Sequence, residues 1–257
     1  MSFKIATWNV NSLKVRLPQV LQWLETAKPD VLALQETKMP DVDFPLALIN
    51  QAGYEVVYSG QSTYNGVAII SRLAASNIVS CVPGTEDPQK RLLGITLGDM
   101  RIINLYVPNG ESVTSQKYLY KLDWLQRLQQ FLTEELRKHS KLIVLGDFNI
   151  APEDQDVFDP QAWAGQVLFS DKERAAFKAL CKLGLVDCFR LKPQPEKSFS
   201  WWDYRMNSFK RNRGLRIDHI LSSLELGKRC LQCYIDKSPR AAERPSDHAL
   251  VVAEFSA

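Results

Sequence analysis

Carboxylate, amide and imidazole side chains recur where the short apolar runs of this sequence stop. Asn9 and Asn11 end KIATWNVN, Glu36 ends VLALQE, Tyr106 and Asn109 end INLYVPN, and Asp147 with Asn149 ends LIVLGDFN. Asp218 opens a later run in RIDHIL, and Asp247 with His248 follows Ser246 just before the run from Leu250 to Phe255. A rigid scaffold can aim polar residues at strand ends into one cleft, and loop composition alone does not account for such repetition. These residue kinds suit water attack on a phosphorus centre. That reaction needs oxygen ligands for a hard cation such as Mg2+, a group that aligns or deprotonates water, and donors for the charge that develops in a phosphorane-like transition state. Glu36, Asp147, Asp247 and the asparagines offer the oxygens. His248, if a carboxylate holds it, and Asn149 offer the donors. Each piece alone also has a plainer reading: Glu36 as a solvated strand end, GDFN as a turn, Asp247 and His248 as a cap or surface pair, and Tyr106 as a half-buried phenol bonded to a carbonyl. His139, at a helix end, and His219, within a strand, are assigned no role.

The elements that must position these groups are legible as short β-branched runs closed by Gly, Pro, Asn or Ser. They fall at Phe3 to Val10, Val31 to Gln35, Tyr54 to Ser59, Val67 to Ser71, Ile78 to Val82, Leu92 to Leu97, Arg101 to Val107, Lys141 to Leu145, Ile217 to Ser222, Leu231 to Ile235 and Leu250 to Phe255. Helical periodicity marks Val15 to Thr26, where Pro18 is tolerable only in the first turn, then Ser115 to Lys138 and Lys172 to Leu183. In the second helix Leu119, Leu122, Leu125, Leu128 and Leu132 form the expected core stripe. Many strands with few helices imply an α/β protein of two sheets packed together, with helices on the outer faces.

Bulk properties set the class. The chain has 257 residues, 45% of them hydrophobic, enough for one large domain spanning 1–257, with no repeat or Gly/Ser linker to divide it. The five cysteines are odd in number and lie in apolar segments, which suits thiols in a reducing compartment. The CxxC of Cys230 and Cys233 has no second pair, so a zinc or redox use is not supported. No basic leader with an apolar stretch and no long apolar run occurs, so a soluble cytoplasmic protein without a membrane segment is expected. The formal net charge of +3 says little about nucleic acid, and the argument rests on clustering instead. Arg205, Lys210, Arg211, Arg213 and Arg216 follow the aromatic trio Trp201, Trp202 and Tyr204 with no acid among the five, as phosphate tracking with stacking requires. The plainer alternative is a solvated loop anchored by a core tryptophan, since adjacent tryptophans in a strand face opposite sides. Lys90 with Arg91, and Lys117 with Lys121, are further candidate backbone contacts, which set affinity and salt slope rather than sequence preference.

Taken in order, WNVNSL, PDVLALQETK, GYEVVYSGQ, NGVAIISR, RIINLYVPNGE, LIVLGDFNIAPEDQDV, LGLVDCFR, FSWWDYR, NRGLRIDHIL and RPSDHALV resemble the exonuclease III and apurinic/apyrimidinic endonuclease family, within the wider endonuclease/exonuclease/phosphatase superfamily. The similarity runs from residue 4 to residue 252. GDFN with SDH points to the superfamily; FSWWDYR and NRGLRID narrow it to the DNA repair branch. A lipid or inositol phosphatase of the superfamily is the competing reading, which gives no reason for those two motifs, and a silent DNA-binding relative would have lost part of the polar set. The resemblance implies a four-layer α/β/β/α sandwich of two mixed sheets face to face. It implies that Glu36 binds Mg2+, with Mn2+ as a substitute, assisted by Asn9 and Asp247. Asp147 would orient or deprotonate water and Asn149 align it or contact phosphate. Tyr106, Asn109 and His248 would contact the scissile phosphate, and Asp218 would fix the His248 tautomer. Trp202 and Leu215 would wall a pocket for a flipped abasic sugar, with Trp201 a further candidate, a site lacking its base being the cheaper one to unstack.

The implied partner is double-stranded DNA with abasic sites or damaged 3′ ends, bound by a monomer. Asn11 stands where some relatives carry Asp, and Leu215 where animal relatives carry Trp. The loop from Glu153 to Ser170, with Trp163 and Gln166, is expected at the DNA minor groove and to bear on whether an internal abasic site fits or only a 3′ end.

Overall fold

The computed structural model describes residues 2–82 and 87–256. Its first half runs β1 (Ser2–Asn9), α1 (Leu13–Ala27), β2 (Val31–Gln35), α2 (Leu46–Gln51), β3 (Glu55–Ser59), β4 (Val67–Ser71), β5 (Ser76–Val79), β6 (Leu92–Leu97) and β7 (Met100–Tyr106). It continues with α3 (Gln116–Lys138), β8 (Leu142–Asp147), α4 (Pro160–Trp163), α5 (Asp171–Lys182), β9 (Leu185–Asp187), β10 (Asp218–Ser223), α6 (Leu224–Gly227), β11 (Cys230–Asp236) and β12 (Leu250–Ser256). The strands form two six-stranded sheets, ordered β11-β12-β1-β2-β4-β3 and β5-β6-β7-β8-β10-β9. Both are mixed, because β1 with β2 and β7 with β8 are parallel while every other pair is antiparallel.

The central strands read as continuous apolar runs because both of their faces are covered. Between the sheets, Ile5, Ala33 and Ile69 of one pack with Leu93, Ile143 and Ile220 of the other. On the outer face of the first sheet, Trp8, Leu32 and Leu34 meet Val20, Trp23 and Leu24 of α1 and Ile49 of α2. On the outer face of the second, Ile103 and Val144 meet Leu125, Leu128 and Leu132 of α3 and Phe177 and Leu180 of α5. The four-layer arrangement follows. No helix among the described residues is long and apolar enough to cross a membrane.

Several local expectations need correction. The helix expected from Val15 begins at Leu13, so Pro18 lies in its second turn rather than its first, where a proline removes one backbone hydrogen bond from the helix. In α3 the buried stripe is Tyr118, Lys121, Trp124, Leu125, Leu128, Phe131, Leu132 and Glu135, and Leu119 is 56% exposed. Two charged residues thus sit in a stripe that hydrophobic spacing alone gave to leucines. Strand β9 has no signature in the sequence, since its three residues are too few to show a period. The CxxC cysteines lie buried in β11 as free thiols.

The chain directions put the chemistry at one edge. Parallel strands β1, β2, β7 and β8 all finish there, and the antiparallel partners β10 and β12 start there. Register places Asp147 beside both Tyr106 and Asp218. A buried amide pair crosses between the sheets beneath this edge: Gln35 Nε2 donates to Asn104 Oδ1 at 2.7 Å and to Thr7 Oγ1 at 2.9 Å, while Asn104 Nδ2 donates to the carbonyls of Leu34 and Ala68.

Candidate active site

Tight backbone turns aim the strand-end residues. Gly146 in GDFN has φ +142°, and a Cβ there would lie 2.0 Å from the Leu105 carbonyl oxygen, so glycine lets β8 approach β7 before Asp147. Glu36, Asn11 and Asn149 hold φ of 51°, 45° and 50°. Such left-handed backbone costs a non-glycine residue roughly 1–3 kcal/mol and persists only where its surroundings enforce it. Here the Glu36 carbonyl accepts from Ser12 N at 2.8 Å, and Asn149 N donates to Asp147 Oδ1 at 2.9 Å.

Glu36, Asp147 and His248, far apart in the chain, each offer a ligand atom within 4.8 Å of the others, the one such His/Cys/Asp/Glu group among the described residues. Asn9 Nδ2 joins two of them, donating to Glu36 Oε1 at 2.8 Å and Asp147 Oδ2 at 2.9 Å. Its oxygen accepts from Asn11 N at 3.0 Å, so Asn9 presents N–H, not the metal-binding oxygen expected of it, to the cleft. Asn149 Nδ2 donates to the Val107 carbonyl at 2.9 Å and faces Asp147 Oδ2 at 3.3 Å, and Asn109 Nδ2 donates to Asn149 Oδ1 at 3.2 Å. His248 Nδ1 lies 2.9 Å from Asp218 Oδ2, and its Nε2 is 3.9 Å from Asp147 Oδ2. Ser200 Oγ–H donates to Asp218 Oδ2 at 2.7 Å while accepting from the amides of Ile217 and Asp218.

Electrostatics follow from burial and these neighbours. Burial pushes the Asp147 carboxyl up to about 7; His248 and the Asn9 amide oppose that, and Asp218 and Glu36 add to it. For His248 burial disfavours the charge, yet Asp218 and Asp147 outweigh it and push the imidazole up to about 10. Burial, with Glu36 and Asp147 nearby, drives the Tyr106 phenol well above its ordinary value, so it stays a donor. Burial opposes the Asp247 carboxylate, but His248, Trp201 and Asn11 hold it below the usual range.

Four carboxyl groups thus lie near one imidazolium and the Lys38 ammonium: Glu36 and Asp147 within the converging group, Asp218 behind His248, and Asp247 beside Trp201 and Asn11. Lys38 Nζ bridges Glu36 Oε2 at 2.9 Å and Asn11 Oδ1 at 2.6 Å, a cation already seated between two oxygens. This excess of hard oxygen donors over positive charge fits a divalent cation. Glu36, the partly exposed carboxylate of the converging group, could hold it by exchanging its Lys38 partner for the ion. Asp247, expected beside the metal, instead accepts from Trp201 Nε1 and Asn11 Nδ2, each at 2.9 Å, and lies outside the converging group.

Among the expected DNA contacts the structure sorts surface from interior. Arg205 is exposed and ion-paired to Asp203, Gln166 and Asn109 are exposed, and Arg91 stacks 4.7 Å over the Tyr106 ring. Lys121 is corrected: it is fully buried against Glu173 and cannot meet a phosphate. Trp202, also fully buried, packs edge-on to Phe209 in the core. The neighbour on the opposite face, Trp201, is the half-exposed one. Leu215 has no exposed surface and fills a cluster with Val157, Leu168 and Phe169, so it can shape a pocket only from beneath. Sequence reasoning missed Lys38, Ser200, Gln35 and Asn104. The Lys of LQETK carried a usable signal, two residues after Glu36. Ser200, in a loop motif dominated by aromatics, carried none.

Comparison with known proteins adds lineage to geometry. A family model described as "Endonuclease/Exonuclease/phosphatase family" matches residues 6–248. The chain is 39% identical to exodeoxyribonuclease III of Haemophilus influenzae, over 98% of this chain and 99% of that protein. A structure of a 3′ phosphatase from Neisseria bound to a product DNA hairpin superimposes with TM-score 0.98 at 45% identity, covering 99% of this chain and 100% of that one. An AP endonuclease from Archaeoglobus fulgidus superimposes with TM-score 0.95 at 39% identity, with the same coverage.

Proposed function

The chain belongs to the endonuclease/exonuclease/phosphatase family, and we propose that it is a DNA repair nuclease, a hydrolase that cleaves phosphodiesters at abasic sites and removes blocking groups from 3′ ends with the help of Mg2+. The observation that carries this reading is the convergence of Glu36, Asp147 and His248 at one strand edge, in a fold whose relatives are named for acting on DNA ends and abasic sites.

In this reading Asp147, poised near neutrality, takes a proton from the attacking water. A group whose proton affinity lies near working pH serves well as a general base. The Asn149 amide, locked between the Val107 carbonyl and Asp147, aligns that water. His248 Nε2–H, Tyr106 O–H and the Asn109 amide donate to the phosphate oxygens, where charge accumulates. Asp218 keeps the imidazole charged and correctly turned, and the Ser200 hydroxyl, donating to Asp218 Oδ2, holds that carboxylate in place. Glu36 would hold the cation, which when bound supplies charge neutralisation at the phosphoryl oxygens. Arg205 and Arg91 would track the backbone, and Gln166, with its loop, would meet the duplex. The half-exposed face of Trp201 would line the sugar pocket in place of Trp202.

The test is a panel of end-labelled duplexes carrying an internal abasic site, a 3′ phosphate or an intact 3′ end, assayed with Mg2+, after EDTA and after readdition. Cleavage of the lesion duplexes that EDTA abolishes and Mg2+ restores is expected. Turnover of a phosphoinositide with no cleavage of any duplex would overturn the reading.

A further inference from the structure

Ammonium groups almost never lie fully beneath a protein surface without a purpose-built set of partners, and Lys121 is fully buried in the second turn of α3. Its Nζ donates to the Asn149 carbonyl at 2.7 Å, to the Asn109 carbonyl at 3.1 Å and to the Glu173 carboxylate. The side chains of the same two asparagines are bonded to each other at 3.2 Å. One pair of residues is therefore tied in front by its amides and behind by an ammonium. Gly110 leaves room for this: it has φ +97°, and a Cβ there would come within 3.3 Å of Lys121 Cδ. Glu173 extends the tie, since its carboxylate accepts from Leu168 N at 3.0 Å and Ser170 N at 3.1 Å, at the end of the loop that carries Gln166.

We infer that the Lys121–Glu173 pair is a positioning device for Asn149 and Asn109, which sets the aim of both amides and fixes the Gln166 loop to them without touching substrate. Stability alone does not explain the pair, because apolar side chains of similar volume in place of a buried ion pair are often neutral or better. What an apolar pair cannot do is draw two carbonyls from different loops to one point. Asn149 and Asn109 act on substrate only within the function proposed above, so the inference rests on that reading.

The experiment compares Lys121→Met/Glu173→Gln, which leaves no lone buried charge, in the wild-type and Asn149→Ala backgrounds. Displacement of an aligning group by a fraction of an ångström costs roughly 10- to 100-fold in kcat. That loss is expected in the wild-type background with the salt slope of DNA binding unchanged, and a clearly smaller loss is expected once Asn149 is alanine, where only Asn109 and the Gln166 loop remain to be aimed. An equal loss in both backgrounds would overturn the inference, as would an unchanged kcat. So would a salt slope smaller by about 0.9, the mark of a direct phosphate contact. Side-chain amide NMR of the substrate-free protein provides a readout that needs no activity: Glu173→Gln alone should shift the Asn109 and Asn149 amide resonances, and unmoved resonances also overturn the inference. If wild type cleaves no DNA while those resonances move, the nuclease reading fails and the positioning stands.

Discussion

Burial lifts the Asp147 carboxyl and His248 with the Asn9 amide holds it back, and the balance leaves it titrating at about 7, where the proposed base can take a proton. His248 answers to the opposite sign, held protonated by Asp218 and Asp147 to about 10. The proposed mechanism needs Asp147 without its proton and His248 with one, so kcat/KM should rise with pH through an acidic limb and fall near 10. A cation held by Glu36 would move the acidic limb below about 7, because positive charge favours the carboxylate. Asp147→Asn should remove that limb and lower turnover by roughly 10²- to 10⁴-fold, and its melting temperature should not fall, since a desolvated charge is lost with the carboxyl. A pH–rate profile of both proteins checks this, and an unchanged acidic limb in Asp147→Asn would contradict the assignment.

At the scale of elements, the segment around FSWW shows how one residue of phase decides a role. Trp201 pairs with Leu215 and His248 through isolated bridges and sends its indole N–H to Asp247. Trp202, on the other face, lies in the core against Phe209 with Phe199 and Ala249 beside it. Truncating a buried aromatic costs about 3–5 kcal/mol, so Trp202→Ala should lower unfolding stability by that order in urea titration. Trp201→Ala should cost much less stability and instead raise KM for abasic duplex, through loss of the pocket face and a loosened Asp247. Equal destabilisation by the two would show that the faces are wrongly assigned.

For the whole molecule, the site straddles both sheets, with Asn9 and Glu36 from one and Tyr106, Asp147 and Asp218 from the other, so its geometry depends on how the sheets dock. Behind the GDFN turn, a buried network ties Arg216 to Asp156, Asp187 and His219, and His219 Nε2 lies 2.8 Å from the Ile150 carbonyl. Burial, reinforced by the Arg216 charge, pushes the His219 imidazole down to about 3 from its ordinary 6.5. A histidine depressed in the fold contributes stability that is fully present above about 6.5 and is lost as pH falls toward 3, at about 1.4 kcal/mol per unit. The unfolding free energy should therefore drop by several kcal/mol across that window. His219→Asn, which cannot acquire the proton, should show a shallower decline in denaturant titrations at stepped pH. An identical slope would remove His219 from the account.

The strand runs, the long helices and the polar residues at strand ends were legible because they are local: a period of two or of three to four, and a turn residue, suffice to write them. The motifs also identified Glu36, Asp147, Asn149, Asp218 and His248 as one set. Sequence does not say which side of the chain faces out, so Lys121 and Trp202 read there as DNA contacts while the fold places both in the interior. It could not orient the Asn9 amide, which depends on the Asn11 backbone N–H turning back to donate to Asn9 Oδ1, nor find Ser200 or the Gln35–Asn104 bridge, whose partners come from distant segments. Residue type and spacing fixed what chemistry was on offer. The docking of two sheets decided which atoms meet, because burial, hydrogen-bond direction and charge balance exist only once those segments are packed.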